Sequence, residues 1–242
     1  MKIYTLPIEM VNALRSWFHP KDRSVIMAPS TFIEGAEIAT PATPSIGRGR
    51  LYWKNNFWTQ LNSSGVEQQL SGPALISETT LSGSAASVTF SGIPQIFRHL
   101  MLMSQARTDA VAETDVVLLR ANGDTGPSYD AQVLSVNNAT LTGAVGRAGT
   151  FFGIGRAEGA SSRASNFAPT QVWIYAYSLS DREKWLYGLS ANFGDASADA
   201  DLREEWRSGR WRNTTPISSI TLLPNTGPNF VSGSRFQLYG VN

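Results

Sequence analysis

The stretch from Pro216 to Asn242 constrains the fold more than any other part of the chain. Ile217, Ile220, Leu222 and Leu223 precede a turn set, Asn225-Thr226-Gly227-Pro228. Phe236, Leu238 and Gly240 then alternate with Gln237, Tyr239 and Val241. Apolar residues at every second position mark a half-buried strand. A strand that ends a chain must be paired, because an open edge leaves backbone N–H and C=O groups without partners. The expectation is a sheet that takes in its own C-terminal strand, inside a sandwich or a closed β module.

Composition narrows the choice. The 242 residues accommodate one large β domain and a small accessory region. Charged residues make up 16% and the net charge is +1, so the chain shows no electrostatic footprint for nucleic acid or an anionic membrane. There is no cysteine, which excludes disulfides and thiolate metal sites, and the only histidines are His19 and His99. The reading is therefore no catalytic, cofactor-binding or metal-binding residues and no cofactor. Pro7 and Glu9 interrupt any apolar segment behind Met1-Lys2, so no secretory signal is read. Apolar runs such as Leu100–Met103 are too short to span a bilayer.

Four regions follow in order. Residues 1–34 form an N-terminal helix and docking arm. Thr5 caps the helix, Pro7 fits its first turn, and Ile8, Val11, Leu14, Trp17 and Phe18 recur at helical spacing before His19-Pro20 ends it. A helix this short needs something to pack on, and these five side chains are the expected docking contacts. Residues 35–49 are a Pro/Ala/Thr linker, stiffened by Pro41 and Pro44. Residues 50–72 read as a small β-meander with Asn55-Asn56 as a hairpin turn. The meander is too small for a core of its own, yet it carries Tyr52, Trp53, Phe57 and Trp58. These four are the expected oligomer interface.

Residues 82–242 read as continuous β structure. Candidate strands are 86–90, 96–105, 115–120, 132–138, 150–155, 171–177, 184–193, 217–223 and 234–241, separated by Gly, Pro, Asn and Asp clusters. Such a run fits a β-sandwich or jelly roll. Ser180–Glu183 has the capping-box pattern of a helix start, but Trp185, Tyr187, Leu189, Ala191 and Phe193 alternate against Lys184, Gly188, Ser190 and Asn192. The alternation outweighs the cap, and a turn followed by a strand is expected.

Chemistry-bearing patterns are sparse. A Ser/His/Asp arrangement would have to use His19 or His99, and His99 reads as a core or cross-strand histidine. The carboxylates Asp109, Glu113 and Asp115, and those from Asp195 to Glu205, read as solvated loops rather than a glycosidase pair. Asp195–Asp201 lacks the glycine and glutamate of a calcium loop, and Gly153–Gly159 lacks dinucleotide-loop spacing. Trp206, Arg210 and Trp211 interleave cation and indole, a pattern that stacks on sugars or on a partner chain.

Several segments together resemble tailed-bacteriophage virion structural proteins of the tail-fibre and head-decoration type. They are Thr80–Leu100, Arg107-Thr108-Asp109, the Asn122–Tyr129 turn, Trp173–Tyr177 and the terminal Asn229–Gly240, preceded by Thr40–Tyr52 and Gly65–Leu70. The resemblance implies a jelly-roll-like β-sandwich, preceded by a small β-meander and an N-terminal arm, in a non-enzymatic homotrimer. It implies a place in the virion, assembled in the host cytoplasm, as a compact spike, a capsid decoration or a short tail-associated fibre. The partners implied are further copies of the chain, other capsid or tail proteins and, for a receptor-binding fibre, a host-surface glycan. No nucleic acid and no membrane insertion are expected.

Overall fold

The computed structural model of the chain describes residues 42–43, 49–54, 57–61, 63–65, 67–69, 72–194 and 202–242. The expected N-terminal helix, with Ile8, Val11, Leu14, Trp17 and Phe18, lies outside the described residues, as do most of the linker and the acidic stretch 195–201. The chain divides into two compact units, 1–71 and 72–242.

In the first unit, β1 (Arg50–Lys54), β2 (Phe57–Leu61) and β3 (Glu67–Gln69) form one antiparallel sheet in that order. The expected meander is thus three short strands. Its register sets Trp53 opposite Trp58 and Tyr52 opposite Thr59. Tyr52, Thr59 and Leu61 are buried.

The second unit is a sandwich of two antiparallel sheets. Its strands are β4 (Ala74–Thr80), β5 (Val88–Ser91), β6 (His99–Ala106), β7 (Thr114–Ala121), β8 (Tyr129–Asn137) and β9 (Thr140–Gly149). The chain continues through β10 (Phe152–Glu158), β11 (Ala168–Tyr175), β12 (Lys184–Phe193), β13 (Leu202–Trp211), β14 (Ser219–Pro224) and β15 (Arg235–Val241). The wide sheet has the order β4-β15-β6-β11-β12-β13-β8-β9, and the narrow one β10-β7-β14-β5. Without the hairpins β8–β9 and β12–β13, successive strands cross between sheets at every step but one, β7 to β10, which pair within the narrow sheet, and β4-β15-β6-β11 faces β5-β14-β7-β10. That is the eight-strand wrapping of a jelly roll. The hairpins are inserts that pair with each other through β8 and β13 and widen one sheet.

The C-terminal strand is sewn in as expected: β15 lies between β4 and β6. Its predecessor β14 crosses to the narrow sheet between β7 and β5. Each strand expected in 82–242 is present within three residues at either end. Three were not anticipated: β4, β9 and β13. The sandwich accordingly starts at Ala74 rather than at residue 82.

The interior has two unlike halves. On one side Leu100, Leu102, Phe236 and Leu238 of the wide sheet and Phe90, Val117, Leu119, Ile220 and Leu222 of the narrow one are buried, an apolar core built by period-2 alternation. On the other side β10 packs across β11, β12 and β13, and there buried apolar residues such as Phe152 and Leu186 share the interior with a polar cluster. Buried Glu205 of β13 accepts from Arg156 of β10 through Nε at 2.8 Å, from Arg207 through Nε at 2.7 Å and from the Ser135 hydroxyl at 3.4 Å. Arg207 also donates to the Gly153 carbonyl at 3.3 Å. The strands approach so closely that a Cβ on Gly209 would lie 2.3 Å from the Asp130 carbonyl oxygen and 2.4 Å from the Phe152 ring.

Burial alone would raise the Glu205 carboxyl, but the flanking Arg207 and Arg156 guanidinium groups outweigh it and hold it below the usual carboxylate range. A depressed carboxylate adds stability above its unfolded-state value, and that contribution is lost as pH falls through the folded one. Stability should therefore decline as pH drops below about 4.3. Glu205→Gln, which strands two buried guanidinium groups, is expected to cost about 3–5 kcal/mol at neutral pH and to flatten that acid dependence. Urea unfolding of both proteins across the acid range checks it. Gly209→Ala is expected to cost about 1–3 kcal/mol by forcing β10 and β13 apart, read as a lowered melting temperature.

Candidate functional site: the outward face of the wide sheet

Along β12 the usual polarity of a surface strand is reversed. Lys184, Leu186, Gly188, Ser190 and Asn192 point inward and are buried, whereas Trp185, Tyr187, Leu189 and Phe193 point outward and are 40–56% exposed. The alternation in the sequence separates an aromatic set from a small and polar one without assigning either to the interior. The structure turns the aromatic set outward because the inward side lies under β10. There a side chain on Gly188 would reach the Ile154 carbonyl oxygen at 3.1 Å, and Ser190 sits within reach of Gly155. At Gly188 and Ser190 only small side chains fit that gap.

Register carries the outward side chains into rows across the strands. Met103, Gln171, Leu189, Trp206 and Leu134 lie side by side on β6, β11, β12, β13 and β8. The adjacent row is Met101, Trp173, Tyr187 and Ser208. Trp173 and Tyr175 stack at 6.3 Å between ring centroids. Beyond β8, Val136 faces Leu141, and Leu141 and Val145 are 65% and 79% exposed. An open groove of about 510 Å³ runs over this face between Trp206 and the Arg235–Gln237 side.

Most charges on the face sit at its margins and are paired there, whereas exposed Glu204, between Ala191 and Val136 beside the groove, has no ion pair among the described residues. Arg210 donates to Asp130 and to Glu183, each at 2.9 Å. Arg235 donates to Glu78 at 2.8 Å, and Gln237 donates to the same carboxylate at 2.8 Å. The Gln171 amide is turned onto the Met101 sulfur at 3.2 Å. The two central rows from β6 to β8 thus hold no charged residue.

Of the three residues read as a glycan or partner contact, Trp206 is on this face, 54% exposed, and Arg210 is at its margin. Trp211 is not available. It is 1% exposed, stacks on Tyr129 at 6.5 Å, and donates its indole N–H to Asp124 at 2.6 Å. Successive strand residues point to opposite faces, so Arg210 and Trp211 cannot serve one surface. Tyr129 is itself sealed in: burial pushes its hydroxyl up to about 12, and the oxygen accepts from the Ala121 N–H at 2.9 Å. Tyr52 of the expected oligomer set is 4% exposed; Trp53, Phe57 and Trp58 are described only by their backbone register.

Many other polar residues singled out in the sequence hold backbone in place. Asp115 accepts from the Thr226 and Gly227 amides at 3.0 Å each, and Asp109 from the Asn229 amide at 2.9 Å. Neither is the free carboxylate a glycosidase requires. The buried Lys184 ammonium donates to the carbonyls of Leu179, Arg182 and Thr214. Arg107 grips four carbonyls of the segment from Ala160 to Asn166. His99 is a cross-strand residue: it pairs with Tyr175 across β6 and β11, packs edge-on against that ring at 5.3 Å, and accepts from the Ala176 amide. Burial lowers its pKa, so it stays neutral at physiological pH. Gly153 and Gly155 belong to β10, not to a phosphate loop.

The residues that sequence reasoning missed are Tyr187, Leu189, Trp173, Leu134 and Leu141. The signal was present in β12 as two incompatible faces, one aromatic and one of glycine, serine, asparagine and lysine. Which of them faces out depends on the spacing of the second sheet.

Trp206→Ala should leave the melting temperature nearly unchanged, whereas Trp211→Ala should cost about 3–5 kcal/mol. Thermal unfolding of the two variants separates the exposed indole from the buried one. Comparison of the chain with protein-family models, with curated proteins and with solved structures finds no match.

Proposed function

We propose that this protein is a non-enzymatic structural component of a tailed-bacteriophage virion, a trimer that forms a compact spike, a capsid decoration or a short tail-associated fibre. The observation that carries the reading is the wide aromatic face on a jelly-roll sandwich. A continuous apolar surface of this width is rare on a protein that works alone. The motif resemblance supplies the virion setting, and the exposed face supplies the physical need for company. Within this reading residues 1–34 dock on the particle, and Trp53, Phe57 and Trp58 contribute to the contact between copies, Tyr52 being already buried within its own chain.

A receptor-binding form of the same reading places a host glycan on Trp206 and Arg210. The groove beside Trp206 favours it, since an exposed indole is a stacking surface for a sugar ring.

Deleting residues 1–34 is expected to leave a folded oligomer that no longer enters particles; loss of folding would refute that division of labour. Trp58→Ala is expected to weaken the oligomer, measured by light scattering. Locating the protein by cryo-electron microscopy of intact particles decides between head and tail, and its absence from them would sink the proposal.

A further inference from the structure

We propose that the outward face of the wide sheet, from β6 across β11, β12, β13 and β8 to β9, is an interface with a second copy of this chain. The inference rests on the same aromatic face as the reading above, and it moves the main contact from the small three-stranded sheet to the sandwich itself.

Four observations point to a copy of the chain rather than to water or a small ligand. The first is the reversed polarity of β12, which gives solvent the tryptophan, tyrosine and leucine and gives the interior the lysine and serine. An outward row of large apolar side chains costs solubility and, in an isolated sandwich, gains nothing in burial.

The second is size. Six strands about 4.8 Å apart, carrying outward rows about 6.8 Å apart, make a surface of roughly 30 Å by 25 Å. That area of about 750 Å² is close to the roughly 800 Å² each partner contributes to a standard protein interface.

The third is charge. The central rows are uncharged, and the ionic groups at the margins, Arg210 with Asp130 and Glu183 and Arg235 with Glu78, are already neutralised within the chain. An uncharged centre with aromatic residues and a polar rim is the anatomy of a protein–protein interface. Exposed Glu204 beside the groove and Arg147 of β9 lie outside these pairs and are opposite in sign, so a second copy need not set like charges against each other. Two of the three amides lining the groove are spent within the chain, Gln237 on Glu78 and Gln171 on Met101, and only Gln105 is left exposed. A saccharide would need those groups free, because sugar specificity rests on hydrogen bonds beside the stacking surface.

The fourth is β9. Residues 140–148 are all exposed, on both faces of the strand, and include Leu141 and Val145 with Arg147 as the sole charge. Protected sheet edges carry charges, prolines or bulges that twist them away. This one has an irregularity only near its end, between Tyr129 and Ala131 of its partner strand. The strand continues the aromatic face outward past the body of the sandwich, where a second copy would meet it.

The test is the oligomeric state of the full chain, by size exclusion with light scattering over a hundredfold concentration range. The wild type is expected at a multiple of 26.3 kDa. Tyr187→Glu combined with Trp206→Glu is expected to weaken association at least tenfold with an unchanged melting temperature. Val111→Glu, exposed elsewhere on the molecule, is expected to change neither. If the double variant does not fold, Leu141→Asp on β9 carries the same expectation.

A wild type at monomer mass overturns the proposal, as does a folded double variant that keeps the wild-type mass. Should Trp58→Ala then dissociate the oligomer, the inference fails while the reading of a trimeric virion component stands. Absence of the protein from particles, with the face variants still dissociating, does the reverse. A monomer that binds a glycan array through Trp206 assigns the face to a saccharide and also overturns the proposal.

Discussion

The approach of β10 to the inserted strands of the wide sheet is the constraint on which the rest of the molecule depends. Apolar side chains fill the space between the sheets on the side of β5, β14 and β7. Under β10 the Phe152 ring is fitted against Gly209, and beside it the sheets are joined by Glu205 holding Arg156 from one side and Arg207 from the other. A buried carboxylate with two guanidinium partners is weak evidence for high stability, since its desolvation offsets most of its attraction. It is stronger evidence for register: shifting β13 by one residue would turn Glu205 and Arg207 outward and leave Arg156 without an anion. The glycines of β10, β12 and β13 belong to the same constraint, because they set the distance at which that ionic contact closes.

Polarity on the opposite surface follows from this. A strand has two faces, and once the inner one must be mostly small or polar, large apolar residues that remain are placed outside. In β12 the inner set is Lys184, Leu186, Gly188, Ser190 and Asn192, with Leu186 its one large apolar member, and the outer set is Trp185, Tyr187, Leu189 and Phe193. The exposed aromatic surface and the polar interior are two sides of one strand. No separate selection of surface residues is needed to relate them.

Much of the fold was legible in the sequence because much of the sandwich obeys period-2 alternation. β11, β12, β14 and β15 show it in their burial, β6 and β7 stood out instead as the apolar runs Leu100–Met103 and Val116–Leu119, and the turn sets between them contain the left-handed backbone that Asn122 and Gly123 adopt, with φ of 51° and 67°. β9 was illegible because it is exposed on both faces and has no alternation to display. β13 was hidden by its own chemistry: its inward positions are Glu205 and Arg207, which read as a solvated charged segment until the opposite sheet is known. The site was half legible. Trp206 and the alternating residues of β12 stood out, but the mixture of Trp206 with Trp211 could be separated only by knowing which side of β13 is covered. Arg107, Lys184 and Asp115 show why 16% charge suffices: several ionic side chains in this chain fasten loops rather than dress the surface.

The two inserts also bear on how such a sandwich can vary. Each leaves and rejoins the eight-strand path as a hairpin, so the chain returns to the end of the sandwich from which it departed. An insert of one strand would deliver it to the wrong end, and every later crossing would be inverted. The wide sheet can therefore lengthen or shorten only two strands at a time. Its breadth, and with it the extent of the aromatic surface, is a stepwise quantity that descent could alter without disturbing the wrapping beneath.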